Sequence, residues 1–140
     1  MQDRARRLVM VSRATCLVVT LIALVVLVGW GLDVERLKGG LPGHVAMNPT
    51  TALALVLAAF SLWTWSTSRA SGAAAAIVLA LGAVTLTGYA VGVNLGVDQL
   101  LFGDRLDGNR VAPNTGICLA LVGIALLLLG RQHESRSALA

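Results

Sequence analysis

The sequence contains an internal repeat that covers most of its 140 residues. The two copies share three elements in the same order: a Gly-x-Asp tripeptide (31–33 and 96–98), a proline-threonine segment (47–51 and 111–115) and an apolar run. Pro49 aligns with Pro113 and Thr51 with Thr115, while the Gly-x-Asp tripeptides lie one residue out of that register. The copies therefore differ by a single insertion, and the repeat predicts two similar structural halves.

Four apolar runs predict four membrane-spanning helices. Hydrophobic residues make up 56% of the chain and charged residues only 13%, whereas a soluble domain carries about 25% charged residues. The runs cover residues 14–30, 51–65, 73–93 and 116–130, close to the roughly 17–25 residues that a bilayer crossing needs. The predicted fold is an all-α, polytopic membrane protein forming one domain over residues 1–140. It consists of two tandem helix–outer loop–helix repeats, at about 14–65 and 73–130.

The distribution of charge predicts the orientation of these helices. The two tails and the turn between the second and third runs hold seven Arg and two acidic residues. The two long loops hold four basic and five acidic residues. The positive-inside rule therefore predicts a multi-pass membrane protein with both termini in the cytoplasm and both long loops outside. Because the basic residues form no patch on a folded surface, nucleic-acid binding is not expected.

The starts of the second and fourth runs form the predicted ligand site. Asn48 can cap a helix that has Pro49 at its first position, and Asn114 or Thr115 can cap the other. Both starts face the outer side and present free backbone N–H groups beside polar side chains. A small polar or anionic ligand, or a lipid or quinone headgroup, is expected there, bound by Asn48, Thr50, Thr51, Asn114 and Thr115. Ordinary capping with loop docking is the alternative interpretation.

The third run carries small residues at every fourth position, a pattern that lets helix backbones approach closely. The row begins with Gly72, Ala76 and Ala80 and continues past the outer end of the run with Gly88, Gly92 and Gly96. These glycines are predicted to form a helix-packing interface, either inside the bundle or in a homodimer. Trp30 and Tyr89 are expected at the outer membrane interface.

Residues that carry catalysis or ion transport are not found within the runs. No charged residue or histidine lies in the middle of a run, where proton relays and ion pathways usually place one. His44 and His133 lie on opposite sides of the predicted membrane, so they cannot share a metal or haem. The loop acids, Asp98 among them, can pair with nearby Arg and Lys and are expected mainly as solvated charge, with a cation site as the alternative. We therefore predict a non-enzyme with no metal and no cofactor.

The helix starts also resemble a known class of sequence. The segments Met-Asn-Pro-Thr-Thr-Ala-Leu-Ala and Ala-Pro-Asn-Thr-Gly-Ile-Cys-Leu, with Gly-Val-Asp-Gln-Leu-Leu-Phe before the second, carry the resemblance. They are similar to membrane regions N-terminal to PAS, histidine kinase or diguanylate cyclase domains in bacterial signalling proteins. The first copy departs from the pattern, because Thr50 stands where the second copy has Asn114.

The resemblance implies a sensory input module in the bacterial inner membrane that responds to a ligand and works with a signalling output domain. The 140 residues include no PAS, kinase or cyclase segment. Two alternatives therefore stay open, a fragment of a longer signalling protein and a module with a separate role. A small accessory subunit of a respiratory or photosynthetic membrane complex is the second functional hypothesis. The lipid bilayer is the partner common to both.

Overall fold

The computed structural model describes residues 2–39, 45–65, 68–106 and 108–137, and these residues are almost entirely helical. They form five α-helices: α1 (Gln2–Gly31), α2 (Glu35–Gly39), α3 (Pro49–Thr64), α4 (Ala70–Val91) and α5 (Pro113–Ser137). Two short 3-10 helices, Val97–Gln99 and Gly103–Arg105, lie between α4 and α5. The predicted all-α class is confirmed.

Three helices are long and apolar enough to cross a membrane, and they indicate a helical membrane protein. Their candidate spans are Arg6–Gly31, Ala70–Val91 and Pro113–Gln132. The fourth apolar helix, α3, has only 16 residues. The arginine-rich segment before the first apolar run continues α1 back to Gln2, because Arg, Leu, Met and Ala are good helix formers even where the sequence is polar.

Helix α3 lies at the centre of the molecule, where it packs against α1, α4 and α5. Its central position explains its composition, because alanines at buried positions allow neighbouring helices to approach. Ala52 and Ala54 are fully buried. The described parts of two connections, the first loop (32–39 and 45–48) and the second loop (92–106 and 108–112), meet at one end of the molecule, which we call the loop end.

The closest helix packing joins α4 to α5. A Cβ atom added at Gly82 would lie 2.5 Å from the backbone nitrogen of Ala120, and one added at Gly123 would lie 2.6 Å from that of Leu79. Such distances leave room for hydrogen only, so the two backbones are in direct contact at these glycines. Neither glycine belongs to the predicted row of small residues, whose members Gly72, Ala76 and Ala80 are exposed.

A reciprocal pair of serine hydrogen bonds joins α3 to α4 at the opposite end from the loops. Ser61 Oγ donates to the backbone oxygen of Ser71, and Ser71 Oγ donates to that of Ser61, each over 2.9 Å. Both serines are buried. Away from water such bonds leave no polar atom of the pair unsatisfied, so they fix the relative height of the two helices.

Helix α4 ends in a Schellman motif, and this explains two of the predicted interface glycines. Gly92 has a left-handed conformation (φ +72°), its N–H donates to Tyr89 O, and Val93 N–H donates to Gly88 O. A Cβ at Gly88 would lie 2.9 Å from the oxygen of Val93. Gly88 and Gly92 thus serve helix termination. Gly96 lies beyond the helix, also with positive φ (+73°), and the dimer role of the three glycines stays a prediction.

Candidate functional site

Each half of the chain has an aromatic anchor at the loop end. Trp30 Nε1 donates a hydrogen bond to the backbone oxygen of Met47 over 2.8 Å, and Tyr89 Oη donates to that of Val111 over 3.1 Å. Met47 and Val111 each lie two residues before the proline that begins the next long helix, and they align in the repeat. Trp30 is buried (3% exposed), so its ring packs within the protein and not against lipid; its position at the outer membrane interface stays a prediction.

The second loop is hydrogen-bonded to the start of α3. Asn48 caps the helix as predicted, because its Oδ1 accepts from Thr50 N over 2.9 Å. Its Nδ2 donates to the backbone oxygens of Asn109 at 3.2 Å and Asp98 at 3.5 Å. Thr50 Oγ1 donates to Val97 O over 3.1 Å. Because Asn48 and Thr50 are both buried, these bonds dock the second loop on the first half of the chain.

Helix α5 begins differently from the prediction. It starts at Pro113, and Gly116 N donates to Ala112 O, so Ala112 takes the capping position in place of Asn114 or Thr115. Asn114 is exposed, whereas Thr115 and Thr51 are partly buried. Asn48 and Thr50 direct their hydrogen bonds to residues 97–109 and not to the α5 start. The ligand role of the five predicted residues stays a prediction.

Asp98 is a buried carboxylate, which corrects its expected role as solvated loop charge. Its Oδ1 accepts from the backbone N–H of Val111 over 3.0 Å, and its Oδ2 lies 3.4 Å from Arg110 Nε. The Asp98 side chain is 7% exposed, whereas that of Arg110 is 39% exposed. The guanidinium of Arg110 also stacks over Tyr89, 4.9 Å from the ring centroid. Asp98 therefore joins the second loop to the residues that precede α5.

Lys38 is the buried cation of the first loop. Its Nζ lies 2.6 Å from both Asp33 Oδ1 and Glu35 Oε1, and 4.7 Å from the centroid of the Trp30 ring. The hydrogen bonds to Asp33 and then Glu35 raise the pKa of Lys38. The same hydrogen bond from Lys38 lowers the pKa of Asp33. Lys38 over Trp30 and Arg110 over Tyr89 give each half one cation stacked on its aromatic anchor.

A polar cleft of about 400 Å³ opens between the two loops. The first half contributes Trp30, Asp33, Glu35, Lys38 and Ala46, and the second half contributes Asp104, Arg105, Leu106 and Asn109. Its volume falls within the range of small-molecule sites. We call this feature the loop cleft.

Two side chains of the second loop hold the loop cleft together. Arg105 donates from one terminal nitrogen to the backbone oxygens of Trp30 and Gly31, at 3.0 and 3.1 Å. These carbonyls end α1, where a cation is favourable because helix C-termini carry partial negative charge. Asn109 Nδ2 donates to Ala46 O over 2.8 Å. The loop cleft is therefore bounded by groups that bond across the two halves.

The sequence contained only part of the signal for this cleft. Arg105 and Asn109 act on backbone oxygens some 60–75 residues away, and no local pattern indicates such partners. The charge sequence Asp-Val-Glu-Arg-Leu-Lys at 33–38 places opposite charges three residues apart. The expected pairing of loop acids with nearby Lys is confirmed at Lys38, whereas the burial of Lys38 was not predicted.

No metal site is found in the part of the chain that the structure describes, where no three His, Cys, Asp or Glu side chains group suitably. His44 lies outside the described residues, as does the side chain of His133. Comparisons with protein-family models, curated proteins and solved structures find no match to this chain.

Proposed function

We propose that this chain is a non-catalytic, ligand-responsive membrane module of a bacterial signalling system. The observation that carries the proposal is the loop cleft, because a ligand there would touch both halves of the chain at once. Asp33, Glu35 and Asp104 outnumber Lys38 and Arg105 among its charged residues. The excess of one negative charge favours a small cationic or zwitterionic ligand. Asn48 and Thr50 would then position the second loop as one wall of the site.

In this proposal all four long helices cross the bacterial inner membrane, with both termini in the cytoplasm. Sixteen residues of α3 span about 24 Å, somewhat less than the ~30 Å hydrocarbon core. Packing against α1, α4 and α5 supports the shorter crossing, because α3 presents little surface to lipid. The matching anchors of Trp30 and Tyr89 support the tandem repeat.

The route of the signal follows from the contacts around the loop cleft. Arg105 holds the end of α1, while Asp98 holds the segment that leads into α5. A ligand shifts an equilibrium between an open and a closed cleft only if it binds the two states with different affinity. A ligand that draws Asp104 and Glu35 together would bind a closed cleft better than an open one. We propose that this closure moves α5 and with it the C-terminal segment, residues 131–137 at the end of that helix.

Native mass spectrometry of the protein extracted gently from its own membranes tests this function. We expect the chain either joined to, or bound by, a kinase or cyclase output domain. Recovery of the 140-residue chain in fixed ratio with a large respiratory or photosynthetic complex would overturn the sensory proposal. Recovery with neither partner would overturn it as well.

The accessory-subunit function remains the second proposal, and one observation favours it. Gly72, Ala76 and Ala80 form an exposed small-residue face on α4, the type of surface on which a partner helix packs closely in a membrane. Replacing Ala76 with Leu should release the chain from a complex that uses this face. The same replacement should leave an output domain bound through the C-terminal segment unaffected.

A further inference from the structure

A second cavity, of about 550 Å³, borders α2 and is mainly apolar. Its walls come from the loop-end half of α1 and from the first loop: Leu21, Ile22, Val25, Val26, Leu37 and Met47. Arg36 and Lys38 are the charged residues that line it. We call it the α2 groove. It is a different cavity from the loop cleft, and its chemistry is the opposite, with many apolar atoms and few polar ones.

The α2 groove has the depth of one membrane leaflet. Its deepest wall residue, Leu21, precedes the end of α1 at Gly31 by ten residues. At 1.5 Å per residue this distance is about 15 Å, half of a ~30 Å hydrocarbon core. Leu21, Ile22 and Val25 are exposed, so the wall is open to molecules that approach from the side.

Helix α2 forms the roof of the groove. It folds back against Gly29 of α1, where an added Cβ would lie 2.6 Å from Leu37 Cβ. The close approach places Leu37 beside the wall, where it is 36% exposed, and Arg36, next to it, is exposed as well. Among the described residues Arg36 forms no hydrogen bond and no ion pair, in contrast to Lys38, which Asp33 and Glu35 neutralise. One unpaired positive charge therefore stands at the polar end of an apolar groove.

We propose that the α2 groove binds one phospholipid from the leaflet on the loop side. One acyl chain lies along the α1 wall from Val26 to Leu21, and the lipid phosphate pairs with Arg36. Guanidinium groups suit phosphate because they donate in a fork that matches its oxygens. A neutral apolar molecule would fill the same wall without using the arginine. The proposal does not depend on the sensory function, since the lipid lies outside the loop cleft.

The test measures phospholipid retained by the full chain in native mass spectrometry after extraction from vesicles of phosphatidylglycerol and phosphatidylethanolamine. Val25→Trp fills the groove, and Val28→Trp is its matched control. The two valines lie on α1 with nearly equal exposure, 48% and 50%, but only Val25 lines the groove. We expect Val25→Trp to lose the retained lipid and Val28→Trp to keep it.

The charge is tested with Arg36→Gln and Arg36→Lys. One basic residue near a membrane surface contributes about fivefold to anionic lipid binding. We therefore expect Arg36→Gln to reduce phosphatidylglycerol retention about fivefold and Arg36→Lys to restore most of it. Equal retention by the two tryptophan variants would overturn the site. Loss in Val25→Trp with no effect of Arg36→Gln would overturn the phospholipid in favour of a neutral occupant.

A second measurement on the unaltered chain keeps the proposal falsifiable if Val25→Trp does not fold. Phosphatidylglycerol with a photoreactive group in the acyl chain is incorporated into the vesicles and activated by light. We expect cross-links concentrated at residues 21–26. Cross-links spread evenly over the exposed faces of α1, α4 and α5 would overturn a specific site.

Discussion

The contact between α4 and α5 makes a quantitative prediction about Gly82. In Gly82→Ala the new Cβ would lie 2.5 Å from Ala120 N and 2.7 Å from Gly116 O. Both neighbours are backbone atoms, so no side chain can rotate away. Bringing the shorter distance to an ordinary 3.4 Å requires the two helices to separate by about 0.9 Å. Gly82→Ala should therefore weaken the whole α4–α5 interface.

The size of the effect follows from two opposing terms. Overpacking a close contact costs about 1–3 kcal/mol, whereas Gly→Ala within a helix gains about 1 kcal/mol from backbone entropy. At Gly130 of α5 only the second term applies, because a Cβ there meets nothing within 4 Å. We expect Gly82→Ala to lower the free energy of unfolding by up to about 2 kcal/mol. Gly130→Ala should raise it by up to ~1 kcal/mol.

The assay is reversible unfolding in mixed dodecylmaltoside–SDS micelles, followed by the circular dichroism of the helices. Gly123→Ala provides a replicate, because its Cβ would lie 2.6 Å from Leu79 N. Both variants are compared with Gly130→Ala under identical conditions. If Gly82→Ala and Gly123→Ala prove as stable as Gly130→Ala, the two helices do not pack at these distances and the reasoning is refuted.

Three further predictions concern the loop end. Asp98→Ala should lower the free energy of unfolding by about 1–3 kcal/mol because it leaves a buried backbone N–H unpaired. Asp98→Asn should lower it less, and denaturation of both variants checks this order of stability. Trp30→Phe removes the hydrogen bond to Met47 and should lower the free energy of unfolding by about 1 kcal/mol. Thermal unfolding measures this loss, and an unchanged stability would contradict the role of the bond. Asp33 contributes stability above its unfolded pKa of about 3.9, and this contribution is lost as the pH falls through its lowered folded pKa. Between pH 3 and 7 the free energy of unfolding should therefore decrease on the acid side, and this decrease should be smaller in Asp33→Asn. Lys38, whose pKa is raised, stays charged over this range. Identical pH profiles for the two chains would contradict the pairing.

The helices could largely be predicted because their signals are local. Pro49 and Pro113 each occupy the first position of a long helix, as their fixed φ and missing N–H favour. The segment 32–37 places Leu32 and Leu37 around charged residues in an amphipathic pattern, and α2 begins within this segment at Glu35 and ends two residues beyond it at Gly39. The start of α5 was placed too late because Ala112 has no capping side chain and therefore gives no signal. The arginine-rich start of α1 was missed because only apolar residues were taken to define the helix.

The contacts at the loop end could be predicted only in part. Asn48 was identified because its capping role depends on the neighbouring residues 49–50. The burial of Asp98 could not be read from the sequence, since its main partner is a backbone N–H that every non-proline residue carries. The same reason applies to Arg105, which binds backbone oxygens at the end of α1. When a side chain bonds to distant backbone, the sequence contains no complementary side chain that would indicate the contact.

The hydrogen bonds of the α3 start also have a consequence for biosynthesis. Asn48 and Thr50 bind partners that lie 47–61 residues later in the chain. At a synthesis rate of about 5–20 residues per second, the ribosome needs roughly 2–12 s to make the residues between. During that interval Thr50 N and Ala52 N bond locally to Asn48, whereas Asn48 Nδ2 and Thr50 Oγ1 lack the partners that they bind in the folded chain. The polar start of α3 must remain hydrated until the second loop packs over it. Insertion of the second half of the chain therefore completes the hydrogen bonding of the first half.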